Sequence, residues 1–155
     1  MLTYREAQKT DFAMLIGALR SEDLVEATLA TGKPVEETLN RRVLEVPGAM
    51  TFSLLGPDGD LLAMFGSFPS PCCEGEGVAW MLCTDIVSKY RREIYRTFPE
   101  QLDRISEPYT ALTAHMWAGN TMHAKWADAM GFFHEPEGDT YINQNRFLKI
   151  YRPTR

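Results

Sequence analysis

The side chains of this 155-residue chain that could do chemistry gather around two apolar stretches, residues 78–84 and 110–118. His115 falls on the polar side of the second stretch, where an unperturbed pKa of about 6.5 suits a general base or a structural hydrogen bond. Asp85, Glu74 and Glu76 flank the first stretch, and their charge would draw a cationic partner or stay solvated in loops. Lys89, Arg91 and Arg92 follow it and could neutralise phosphate oxygens. Asn120 precedes a helical pattern, where it could orient an amide or cap free N–H groups. His123 sits in that helix's first turn. Its spacing to His115 and His134 forms no metal triad, so no metal is expected. Cys83, inside an apolar run, reads as a small buried residue rather than a nucleophile.

The elements that must position these residues follow from the period of the apolar positions. Residues 2–7 read as a strand. Thr10 is placed to cap a helix with Phe12, Leu15, Ile16 and Leu19 on one face. Ser21 opens a second helix carrying Leu24, Val25 and Leu29, and Gly32 ends it. Pro34 opens a third, with Val35, Leu39, Val43 and Val46 at helical spacing, stopped by Pro47-Gly48. Residues 49–56 and 61–65 make a hairpin about the turn Pro57-Asp58-Gly59-Asp60. A strand at 78–84 leads to a helix with Ile94, Phe98, Leu102 and Ile105, which Pro99 is expected to bend or restart. The strand at 110–118 alternates cleanly, and the last helix begins at Gly119-Asn120. Ile142, Phe147, Ile150 and Tyr151 suggest a closing pair of strands. The fold class is therefore α/β (α+β), one mixed sheet flanked by helices in a single domain over 1–155.

Composition narrows the function classes. A net charge of −5 opposes a phosphate-neutralising surface, so no nucleic-acid partner is expected. No apolar run is long enough for a membrane span, and the N-terminus lacks the pattern of a secretory signal. The cysteines Cys72, Cys73 and Cys83 make no C-x-x-C pair, which suits a reducing compartment.

With this order of elements, and with Asn120 opening a helix that Gly131-Phe132 follows, the chain resembles the GCN5-related N-acetyltransferase (GNAT) superfamily over nearly its whole length. The resemblance implies a mostly antiparallel sheet with two central strands splayed apart, acetyl-CoA as cofactor and an amine as acceptor. It implies that Leu82, Cys83 and Thr84 hold pantetheine by backbone, that Lys89, Arg91, Arg92 and Asn120 complete the cofactor site, and that Asp85 or His115 takes the amine proton. Two features depart from the pattern. No glycine lies between Gly77 and Gly119 to let backbone N–H groups approach a pyrophosphate, and Ala127 stands where many members place a tyrosine.

The stretch Trp117-Ala118-Gly119-Asn120-Thr121-Met122-His123, with Gly131 and His134-Glu135, also resembles the small internal virion proteins of short-tailed bacteriophages. That implies a phage protein in the host cytoplasm or the virion. Two functions stay open: an acetyl-CoA-dependent N-acetyltransferase or its degenerate derivative, and a non-catalytic protein that binds a host or virion protein.

Overall fold

The computed structural model describes residues 1–37, 39 and 46–155. The expected position Val43 lies outside the described residues. Strand β1 (Thr3–Glu6) leads to helices α1 (Lys9–Ala18) and α2 (Ser21–Thr31), then to strands β2 (Met50–Leu55), β3 (Leu61–Pro69) and β4 (Glu76–Cys83). A 3-10 segment (Asp85–Tyr90) runs into α3 (Arg91–Ser106), β5 (Ala111–Trp117) and α4 (Thr121–Ala129). Strands β6 (Phe133–His134), β7 (Thr140–Ile142) and β8 (Asn145–Pro153) close the chain, so a short third strand joins the expected pair.

The strands form an eight-stranded sheet in the order β1-β2-β3-β4-β5-β8-β6, with β7 on β8. Every pairing is antiparallel except β4 with β5. One face is covered by Phe12, Leu15, Val35 and Leu39, which pack with Met64 and Leu82. The other is covered by Ile94, Phe98, Leu102 and Ile105 of α3 and Trp126 of α4, which pack with Ala63, Phe65 and Cys83. A sheet covered on both faces has no solvent side to alternate toward, and this is why β3 reads as a continuous apolar run.

The hairpin turn forms as its residues require: Gly59 takes φ +84° and Gly56 N–H donates to the Asp60 carbonyl at 2.9 Å. Helix starts differ from expectation. α1 begins one residue before Thr10, and the Asp11 carboxylate, not Thr10, accepts the Gln8 N–H at 2.8 Å. Arg5 and Ser53 donate to the same carboxylate, which ties α1 to β1 and β2.

Pro99 neither ends nor restarts α3, which runs unbroken through it. Proline removes one N–H from the ladder at a cost of about 3 kcal/mol in a helix interior. Four apolar side chains spread over both sides of Pro99 are buried against the sheet and offset that cost.

Where β2 crosses β3, Gly66 has no room for a side chain: a Cβ there would collide with the Met50 carbonyl and press on the Trp80 indole nitrogen. Gly66→Ala is expected to destabilise the protein by about 1–3 kcal/mol, because backbone must move to admit the methyl group. Urea unfolding measures it, and an unchanged midpoint would mean that the two strands lie farther apart than described.

Candidate functional site

The site begins where two strands part. β4 and β5 pair over Glu76–Val78 and Ala111–Thr113, and beyond that they diverge. Each stays held on its outer side, Cys83 by Ala63 of β3 and Trp117 by Phe147 of β8, so their inner edges open into a wedge. A cavity of about 490 Å³ fills the wedge. Its walls are mainly apolar, with Met81, Met116 and Trp126 among them, and Glu26, Thr31, His115, His123 and Thr140 supply polar side chains.

An open strand edge carries unpaired N–H and C=O groups, which are costly to bury. Here the chain satisfies them itself at the C-terminal end of β4. Thr84 N–H donates to the Leu62 carbonyl of β3, so by alternation the polar groups of Cys83 point the other way, into the wedge. The Asp23 carboxylate accepts the Cys83 N–H, and Arg20 N–H donates to the Cys83 carbonyl at 2.9 Å. Leu19 forms an antiparallel bridge with Thr84, so the α1–α2 connection lies along β4 as a short substitute strand. On the facing side, Glu26 Oε1 accepts the Trp117 N–H at 2.6 Å.

These acids belong to a buried polar cluster. Asp23 is fully buried; it accepts from Arg20 Nη1 at 2.7 Å and from Asn120 Nδ2 at 2.9 Å. Asn120 Nδ2 also donates to Glu26 Oε2 at 3.2 Å. His123 Nε2 lies 3.5 Å from Asp23 Oδ1, and its Nδ1 lies 3.7 Å from Glu26 Oε2. Burial, reinforced by the Asp23 charge, pushes the Glu26 carboxyl up to about 7, against the pull of the Trp117 N–H bond. Burial pushes His123 the other way, below its usual value, so the ring is held neutral. The Cys83 thiol is pushed well up, again by burial, and is no nucleophile.

The residues singled out from sequence scatter. Leu82 lines the cavity, whereas Cys83 and Thr84 are buried with their backbone N–H groups engaged as described. Thr84 also donates its hydroxyl to the Leu61 carbonyl at 2.9 Å. His115 lines the cavity and its Nε2 donates to the Gly138 carbonyl at 3.2 Å. Asp85, Lys89, Arg91 and Arg92 are exposed in the 3-10 segment and the start of α3, outside the cavity wall. Ala127 contributes to that wall but holds no proton to give.

Asn120 does not cap α4; its side chain is turned into the cluster. His123 is buried and stands between Asp23 and Cys83, with Nε2 3.6 Å from Sγ. α2 is rotated from its expected orientation: Leu24 and Val25 face solvent, while Asp23 and Glu26 face in. Arg20, Asp23 and Glu26 were thus absent from the sequence reading. Their trace is the three-residue step from Asp23 to Glu26, which puts two carboxylates on one helical face.

No helix among the described residues is long and apolar enough to cross a membrane. No family model matches the chain. Among curated proteins it is similar to the probable scaffold protein gp13 of Escherichia phage T7, 28% identical over 140 residues, spanning 87% of this chain and 88% of that protein. Among solved structures it is similar to spermidine N-acetyltransferase from Vibrio cholerae in complex with CoA and spermine. The TM-score is 0.72 and the identity 13%, over 99% of this chain and 95% of that one. The acetyltransferase AAC(6')-Ib in complex with ribostamycin and coenzyme A gives a TM-score of 0.72 at 14% identity, over 98% and 93% of the two chains. The fold is that of the GNAT acetyltransferases.

Proposed function

We propose that this chain acts by binding protein, as a component of a phage particle or of its assembly in the host cytoplasm, on an acetyltransferase fold in which its own residues cover the end of the cofactor strand edge. One observation carries the reading: the wedge-facing N–H and C=O of Cys83 are already taken by Asp23 and Arg20. The resemblance would give that strand edge to pantetheine. The rest of a CoA site fits no better. The stretch after β4 has no glycine for close backbone approach to a pyrophosphate, and Ala127 offers no proton to a leaving thiolate. The similarity to a phage protein described as a probable scaffold supports the same reading.

Acetyl transfer is the second reading, favoured by the cavity and by Glu26 on its wall with a carboxyl near 7, a value suited to taking a proton from an ammonium group. The structural neighbours, which are N-acetyltransferases solved with CoA and amine ligands, favour it too. It requires Asp23 and Arg20 to leave β4 before a thioester can enter.

Thermal unfolding with millimolar acetyl-CoA separates the two. A ligand at about 100 times its Kd stabilises by roughly 2.7 kcal/mol, so a true cofactor moves Tm by several degrees. We expect no movement. A rise in Tm that disappears in the variant Arg91→Glu, Arg92→Glu would overturn the binding-protein reading and establish a cofactor site at the start of α3.

A further inference from the structure

We propose that Asp23, Cys83 and His123 form a binding site for a borderline-soft divalent cation such as Zn2+, which ties α2, β4 and α4 together across the wedge.

The three side chains are buried, come from three different elements, and bring one ligand atom each to within 4.8 Å of the others. Cys83 Sγ lies 3.6 Å from His123 Nε2, and that nitrogen lies 3.5 Å from Asp23 Oδ1. Around a tetrahedral zinc, bonds of about 2.0–2.3 Å place neighbouring ligand atoms roughly 3.3–3.8 Å apart. These two separations fall in that interval, and the third, between Cys83 Sγ and the Asp23 carboxylate, lies within 4.8 Å.

The surroundings fit the same chemistry. Zinc-bound imidazoles commonly donate their second N–H to a carboxylate, which fixes the tautomer with the other nitrogen free to bind metal. Glu26 Oε2 stands 3.7 Å from His123 Nδ1, beyond hydrogen-bond distance, and would have to move a few tenths of an ångström closer to take that role. A bound cation deprotonates the thiol, and the proton leaves to solvent. The Cys83 thiolate and the Asp23 and Glu26 carboxylates then balance the divalent cation and the Arg20 guanidinium. Glu26 and His123 both stand on the cavity wall, which gives the ion a path inward. Arg20 Nη1, at 2.7 Å from Asp23 Oδ1, is the competing cation and sets how tightly the metal binds. The site belongs to the arrangement in which Asp23 sits on β4; if Asp23 leaves the strand, as acetyl transfer would require, the site loses one ligand.

The probe is Co2+, whose bond to a thiolate gives a near-ultraviolet charge-transfer band. Cys72 and Cys73 form an exposed pair with sulfurs 3.7 Å apart and would bind cobalt themselves, so the parent for the experiment carries Cys72→Ser and Cys73→Ser. The parent is expected to show the band, to saturate at one equivalent, and to lose it when Zn2+ is added. Cys83→Ser should abolish the band, and His123→Gln should weaken cobalt binding by at least about tenfold. Circular dichroism establishes that each variant is folded; if Cys83→Ser is not, His123→Gln carries the test. A folded parent without the band, a band that survives in folded Cys83→Ser, or unchanged affinity in folded His123→Gln would each overturn the proposal.

Discussion

Asp23→Ala should destabilise the protein by about 3–5 kcal/mol, the loss typical when one partner is removed from a buried ion pair. The Asp23 carboxylate is fully buried and takes donors from Arg20, Asn120 and the Cys83 backbone. Without it, a guanidinium only 12% exposed keeps its charge without its closest partner, and the Cys83 N–H at the wedge edge has no acceptor. A methyl group in that space repairs neither. Urea denaturation followed by circular dichroism measures the effect, with an unchanged slope showing that the folded and unfolded ensembles are otherwise the same. A loss below about 1 kcal/mol would mean that the cluster is solvated and that closure of the wedge is not structural.

The second large effect is a fall in stability with rising pH. The Glu26 carboxyl is held up to about 7, against an ordinary value of 4.5, so between those values the folded protein holds a proton that the unfolded chain has released. Its contribution is complete below pH 4.5 and is lost as pH rises through about 7. At roughly 1.4 kcal/mol per unit, the loss is about 3 kcal/mol. The groups facing Glu26 are Asp23 on its own helix, Arg20, Asn120, the Trp117 N–H and His123 of α4. His123 titrates in the opposite sense. Its folded value is depressed, so its contribution is present above its ordinary 6.5 and is lost as pH falls. Comparison with Glu26→Gln separates the two, because only the downward slope toward pH 7 should vanish in the variant. If both proteins show the same profile from pH 4.5 to 8, Glu26 is not the buried group described.

Much of the architecture was legible because the local pattern and the final environment agree. Leu112 and Met116 of β5 and the four apolar positions of α3 end buried where the period puts them, while Ala114 between them is half-buried. The turn at Gly59 has a residue able to take φ +84°. The parting of β4 from β5 followed from the resemblance rather than from any local signal. α2 misled because Leu24 and Val25 carry the apolar signal, yet the helix turns its acids inward. That orientation answers a need created elsewhere, the open edges of two strands far along the chain, and no local pattern records such a need. Asn120 misled for the same reason: an asparagine before a helix usually serves that helix, but here a buried carboxylate nearby competes for its side chain.

The substitute strand and its acids bear on the order of events during synthesis. Asp23 and Asn120 are separated by 97 residues, so α2 leaves the ribosome long before the partners of its inner face exist. At roughly 5–20 residues per second, that interval is about 5–20 s. Through it, Asp23 and Glu26 lack Asn120 and His123, although Asp23 and Arg20 can already cover Cys83 once β4 is made. The cluster can then be completed only when β5 and the start of α4 arrive, which makes covering of the β5 edge a late step of folding on the translating ribosome.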